Sequence, residues 1–383
     1  MAIRSVAFAS RGATSRTHGG WIFLCVRRLS PGRKGRIFAA VPPSTSWKEV
    51  VAPDEEQRFT RYAEQLHALQ REHGKERVTD RALHAKGQAG VEAQFTVLGD
   101  LPEHARHGLF AAPAAYRAYV RFSNGTGGRQ PDKKGDVRGV AIKVLGAPGK
   151  KIIPGMEDAK TQDFLLIRTA VTPFKNAAEF VGAITAVGGS PLLALPRIVG
   201  SLGLGRALKV LGELPKGLNI PMTSFATTRY FSAAPIKLGP YAVHYAITPR
   251  APVDTSALPG RSNDYLGEEL SARLAKDVVS YDFGVQFFVD EEKTPIEDAS
   301  VEWKESDSPY VTVATLTLTK QEPTSPRGKK IADHIEHLAF DPWHAMEDHR
   351  PLGDVMRARN YAYRVSTKER HAAAEPDGSE TFD

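Results

Sequence analysis

The sequence predicts an α+β fold, an eight-stranded antiparallel β-barrel with surrounding helices. Three observations carry this reading. Eight runs rich in β-branched and aromatic residues, 91–98, 116–123, 137–145, 163–168, 222–232, 240–248, 281–290 and 309–319, read as strands. A long apolar helical stretch, 176–214, separates the fourth from the fifth. An amphipathic pattern at 54–73 opens the globular part. Eight strands suit a barrel that closes on itself and leaves no edge unpaired, and a chain of 383 residues can hold it as one domain.

Taken in order, residues 1–48 carry nine Lys or Arg and no Asp or Glu. Since the whole chain is +7, residues 49–383 are close to neutral at −2. The basic balance therefore describes a leader and gives no support to nucleic-acid binding. This leader is expected to be disordered, with 49–383 forming a single domain. Its Ser, Gly and Arg content is also that of a transit peptide, and its apolar run Trp21–Val26 is too short for a membrane span. The one cysteine, Cys25, lies here, so no intrachain disulfide is possible. A reducing, cytoplasmic location is the expectation, with organelle targeting as the alternative if residues 1–48 are a transit peptide.

The opening helix places Phe59, Tyr62, Leu66 and Leu69 on one face. The 176–214 insertion is broken by Pro191 and Pro196 and interrupted by Arg197, Arg206 and Lys209, so it reads as helices packed on the barrel. A shallow membrane contact through 180–210, or an apolar route for a lipid hydroperoxide, is the sharper alternative. The histidine pairs His334/His337 and His344/His349 stand among acids but do not form the His-Glu-x-x-His zinc pattern, and the second pair is expected to be structural.

The residues that carry chemistry lie at the two ends of the domain. Met356-Arg-Ala-Arg359-Asn-Tyr-Ala-Tyr363 places Arg359 and Tyr363 four apart, on one face if helical. A guanidinium in contact with a phenol favours the tyrosinate, which can ligate ferric iron. By itself this pair also suits a surface helix with a packed aromatic. Far upstream stands Arg81-Ala-Leu-His84-Ala-Lys-Gly87, then Tyr119-Val-Arg121-Phe-Ser123-Asn-Gly125 and Asp136-Val-Arg138-Gly139-Val-Ala-Ile-Lys143.

Together these motifs resemble the haem catalase family in kind, order and separation, over roughly residues 50–375. The chain is similar to the short catalase-related peroxidases, which are relatives of the catalase-like allene oxide synthases. The resemblance implies a catalase-like barrel that binds haem b, with Tyr363 as the iron ligand and Arg359 beside it. It implies that His84 is the distal acid–base residue and that Ser123 orients its ring. Arg81, Arg121 and Arg370 would then compensate the haem propionates. Pro295–Trp303 also resembles this branch.

One departure alters the expected reaction. Catalases supply a distal asparagine just before a Pro-x-Phe-Phe stretch, which is absent here; aligning Lys175–Phe180 with the family segment downstream of that asparagine puts Arg168 at its position. Arg168 could stabilise charge on a departing oxygen, or turn toward a propionate or a surface carboxylate. The resemblance then implies a peroxidase that reduces hydrogen peroxide or organic hydroperoxides with a small reducing substrate, and is a weak catalase at most. A fatty-acid hydroperoxide isomerase and a non-enzymatic haem-binding or sensing protein are the alternatives.

Overall fold

A computed structural model of the protein describes residues 43–73, 81–188, 191–250 and 262–382. The leader up to position 42, with Cys25 and the expectations of disorder and targeting, lies outside the described residues. The body takes up the chain slightly before Glu49. Trp47 packs with Phe288, Trp303 and Leu352, and its indole nitrogen donates to the Pro240 carbonyl at 2.8 Å.

Among the described residues nine antiparallel strands form one sheet: β1 (Gly87–Val97), β2 (Ala114–Asn124), β3 (Arg138–Leu145), β4 (Thr161–Ile167), β5 (Tyr230–Phe231), β6 (Ile236–Leu238), β7 (Tyr241–Pro249), β8 (Val279–Phe287) and β9 (Val311–Leu318). Their order is β5-β4-β3-β2-β1-β9-β8-β7-β6, and β5 also pairs with β7. Ile167 opposes Phe231 on one side of β5, and Tyr230 opposes Ile247 on the other, which closes the ring. Strand β6 lies farther along the same edge of β7, with Ile236 opposite Val243. β5 and β6 are therefore two pieces of one barrel position, and the barrel has the eight positions expected.

The fifth expected strand, 222–232, is corrected to the two residues of β5. Local polar groups bend Met222–Arg229 instead. Thr228 Oγ donates to the Ser224 carbonyl at 2.7 Å, and Ser224 Oγ accepts from the Ala226 amide at 3.0 Å. Such side-chain bonds offer the backbone an alternative to a ladder. The bend carries Phe225 against Phe122 in the core, where its carbonyl accepts from Tyr230 and Tyr281.

Strand alternation fills the barrel and loads its outer wall. Val91, Phe95, Val120, Phe122, Val140, Ile142 and Phe164 belong to the main core, where Phe164 and Phe283 rings stand 4.9 Å apart. Residues of the opposite parity, Arg121 and Ser123 of β2, Gly139 and Lys143 of β3 and Leu165 of β4, face outward beneath helices. Those helices are α1 (Glu55–His73), α2 (Ala177–Gly188), α3 (Pro191–Leu202), α4 (Leu204–Leu218), α5 (Tyr265–Leu274), α6 (Pro326–His337) and α7 (Asp354–Glu369).

Helix α1 begins with Glu55 and Glu56, acids that suit a helix N-terminus, and buries Phe59 against Tyr361 of α7, with ring centroids 5.8 Å apart. The expected 176–214 insertion is the three helices α2–α4. They pack on one another through Phe174, Ala183 and Val210, and through Ala186, Ile198 and Ala207, while Arg206 pairs with Glu179 at 2.6 Å. Among the described residues no helix is long and apolar enough to cross a membrane.

Candidate active site

One cavity lies between the outer wall of β2–β4 and helices α1, α2 and α7. Its walls include His84, Ser123, Arg359 and Tyr363 together with Arg81, Arg121 and Arg370. Residues more than 270 positions apart in the sequence thus meet in one chamber, as the motifs implied.

On the distal wall, His84 sits in a bend and not in the strand, which begins at Gly87. Its φ of 58° is a left-handed conformation that non-glycine residues adopt at a cost. Two bonds hold it: its amide donates to the Gly125 carbonyl at 3.0 Å, and its carbonyl accepts from Arg121 Nη2 at 2.9 Å. The ring Nδ1 lies 3.0 Å from Ser123 Oγ, leaving Nε2 as the nitrogen free for chemistry. Gly139 makes the seat for this ring, because a Cβ there would lie 2.6 Å from His84 Cε1. Burial first, then Arg121, Arg359 and Arg81, depress the imidazole pKa to about 3. The ring is therefore a neutral base at ordinary pH.

The opposite wall is α7. The helical spacing stacks Arg359 and Tyr363 as expected: Nη2 donates to the phenol oxygen at 2.7 Å and the guanidinium carbon lies 5.0 Å from the ring centroid. Burial alone would lower the Arg359 pKa, but Tyr363, then Tyr245 and Asp341, more than offset it, so the guanidinium stays charged. The helix is anchored at its start by residues with no place in the chemistry. Glu297 accepts from the Asp354 amide at 2.7 Å, and Arg357 is held by Glu49, Glu55 and Glu297. The Pro295–Trp303 segment thus serves as the socket of the α7 N-terminus.

At one edge of the cavity three guanidiniums, two of them buried, gather on the end of α6. Arg81 Nη1 donates to Glu336 at 2.6 Å and Arg121 Nε to the same carboxylate at 2.8 Å. Arg81 and Arg370 also donate to the Leu338 carbonyl, at 3.1 and 2.7 Å. Glu336 was not singled out by the sequence; the available signal was three arginines in motifs with no acid assigned to them. Burial raises its pKa, but Arg121 and Arg81 win and hold it at about 2. Burial followed by Arg121 depresses that of Arg370 to about 10.

The cavity does not gather Arg168. Its guanidinium donates to the Ile220 carbonyl, and its amide to the Arg138 carbonyl at 3.1 Å. It follows Leu166 in parity, toward the barrel and away from the wall. Burial and then Arg138 lower its pKa. His344 lies in a buried cluster with Lys143, Asp163 and Glu375, and His349 Nε2 accepts from the Leu109 amide at 2.9 Å. Among the described residues no group of three or more His, Cys, Asp or Glu could hold a metal ion.

The donor set fits an iron porphyrin. A phenol oxygen stands on one wall, a histidine–serine pair on the other, and apolar residues such as Leu66, Phe174 and Phe180 line the far end. Three guanidiniums facing one carboxylate leave a surplus of two positive charges at the edge, which matches the two propionates of haem.

A closed antiparallel barrel bearing a His–Ser pair opposite an Arg–Tyr helix defines the haem catalase class. The comparisons with known proteins agree. The catalase family model matches residues 60–153. A catalase-related peroxidase from Mycolicibacterium paratuberculosis is 30% identical over 307 residues, covering 76% of this chain and 88% of that protein. The chain belongs to the catalase family, in its short catalase-related branch. Among solved structures, a fungal catalase is similar with a TM-score of 0.61 and 19% identity over 78% of this chain. Catalase A from Saccharomyces cerevisiae gives 0.60 and 17% over 76%, and a bacterial catalase 0.59 and 20% over 93%. These likenesses show the fold. The chain spans 61% of the length of the first two and 69% of the third.

Proposed function

We propose that the protein is a haem b peroxidase that reduces hydrogen peroxide or organic hydroperoxides at the expense of a small reducing substrate, with weak catalase activity at most. The coarser statement, an oxidoreductase of the catalase family acting on peroxide, rests on family membership. The observation that carries the finer one is that the His84–Ser123 and Arg359–Tyr363 pairs line a single cavity.

When bound, haem supplies the redox chemistry that breaks the O–O bond. Tyr363 would hold the iron through its phenol oxygen, and Arg359, 2.7 Å away, would balance its charge. His84 Nε2, neutral and fixed through Nδ1 by Ser123, takes a proton from the incoming peroxide and gives it to the departing oxygen, which leaves as water or an alcohol. Arg81, Arg121 and Arg370 would seat the propionates. The described residues lining the cavity include no asparagine, which supports the preference for donor oxidation over dismutation.

The test is a steady-state assay of haem-loaded protein with hydrogen peroxide and with an organic hydroperoxide, each with and without a phenolic donor. Oxygen release faster than donor oxidation under saturating donor overturns the peroxidase preference. Rearranged product from a lipid hydroperoxide without donor would favour the isomerase. Tyr363→Phe is expected to lose the tyrosinate-type ferric spectrum and most haem retention; an unchanged spectrum removes Tyr363 as the ligand.

A further inference from the structure

Glu336 stands behind the arginines of the cavity edge and has no role in the chemistry above, yet the fold is shaped to deliver it. Helix α6 lies against β1 at two glycines. A Cβ at Gly90 would stand 3.1 Å from the Ala332 Cα and the Ile335 Cβ, and one at Gly87 would stand 2.6 Å from Glu336 Oε2. With those positions bare, the carboxylate reaches inward between two guanidiniums. Oε1 accepts from Arg81 Nη1 at 2.6 Å and Arg121 Nη2 at 3.0 Å, and Oε2 accepts from Arg121 Nε at 2.8 Å. The last carbonyls of α6 add to this. The Glu336 carbonyl accepts from Arg81 Nη2 at 3.0 Å and Arg370 Nη1 at 3.4 Å, where a helix C-terminus favours cations. Among the described residues no other carboxylate pairs with Arg81, Arg121 or Arg370.

Three guanidiniums in one place, two of them buried and the third partly so, repel one another, and each further positive charge makes the site more costly to hold and more attractive to an anion. A single carboxylate between two of them reduces both effects. We propose that Glu336 is the resident counter-ion of this arginine fan, a positioning residue that fixes the surplus charge at two and thereby sets how strongly the cavity edge attracts the carboxylates of a bound porphyrin. The inference rests on the haem reading above. It differs from an ordinary structural ion pair in one respect: its influence reaches only those ligands that carry carboxylates.

The experiment compares iron-free protoporphyrin IX with its dimethyl ester, which keeps the ring and loses both charges. Affinities are measured by fluorescence quenching in wild type and Glu336→Gln at fixed salt. The variant is expected to bind the free acid at least about tenfold more tightly, the scale of one partly screened charge near contact distance. Binding of the ester should stay within about twofold, and the gain with the free acid should shrink in high salt. An equal change for both porphyrins, or none for the free acid, overturns the proposal. If Glu336→Gln does not fold, Glu336→Gln combined with Arg81→Gln restores a surplus of two; it should fold, and a free-acid to ester preference unlike that of wild type overturns the proposal. Failure of wild type to bind either porphyrin would instead overturn the haem reading itself.

Discussion

Replacing Gly139 by alanine should disable His84, the proposed proton carrier, while leaving the fold and the cofactor in place. Gly139 lies in β3 directly beneath the His84 ring. The methyl carbon would fall 2.6 Å from Cε1, 2.7 Å from Nδ1 and 3.3 Å from Ser123 Oγ. Carbon atoms in contact sit about 3.5–4.0 Å apart, so the imidazole must withdraw by roughly 1 Å, and the 3.0 Å bond to Ser123 breaks or lengthens. A displacement of about 1 Å at a reacting group costs on the order of 100-fold in rate. Peroxide consumption per bound haem should fall by that factor, with haem stoichiometry and melting temperature close to wild type. Gly128→Ala is the control, because a Cβ there meets nothing within 4 Å. A Gly139→Ala rate within about threefold of wild type would refute the claim that this seat positions the proton carrier.

The same geometry sets further outcomes. The pKa of His84, about 3 against an ordinary 6.5, keeps the ring neutral in mild acid. At pH 4.5 an unshifted ring would be roughly 1% neutral and this one about 97%, so stopped-flow peroxide reaction per haem should stay flat from pH 8 to about pH 4.5; an acid limb centred near pH 6 contradicts it. The same shift carries a stability cost with a definite sign: as pH falls from 6.5 toward 3 the unfolded chain binds a proton that the folded chain does not, so folding weakens in that window, visible as a falling urea midpoint that His84→Gln should flatten. Arg168→Ala, which removes the bond to the Ile220 carbonyl, should lower thermal stability and leave the rate per haem within about threefold; a drop of tenfold or more would return Arg168 to the reacting centre. Lys143→Met strands Asp163 and Glu375 in the interior and should cost about 3–5 kcal/mol in urea unfolding; a loss under about 1 kcal/mol contradicts that view of the cluster.

Much of this was legible in the sequence for physical reasons. Strands β1–β4 and β7–β9 are stiff, β-branched or aromatic runs whose alternation survives in the fold. Tyr363 and Arg359 needed only the helical repeat, and His84 with Ser123 needed the resemblance. What could not be read depends on long-range docking. The significance of Glu336 appears only when α6 settles on Gly87 and Gly90 of β1, about 250 residues away. Alignment alone brings Arg168 to the distal position, whereas its direction is decided by strand parity and by Ile220 on the far side of the helical insertion. The fifth strand failed because Ser224 and Thr228 bond to their own backbone, a competition that a count of β-branched residues does not register.

The buried lysine of β3 also bears on how the chain is made. Lys143 Nζ sits 2.8 Å from Asp163 Oδ1 and 2.6 Å from Glu375 Oε2. One of its two carboxylate partners therefore lies 232 positions later in the chain. The other end of the described chain is used in the same way, since Glu49 reaches Arg350 and Arg357 across some 300 positions. A ribosome releasing the chain from its N-terminus exposes β3 long before Glu375 exists, so the wall of the barrel stays electrostatically open until residue 375 has been made. Contacts of such separation fold slowly and leave apolar surface waiting. Nascent chains stalled short of residue 375 should accordingly remain protease-sensitive throughout the barrel.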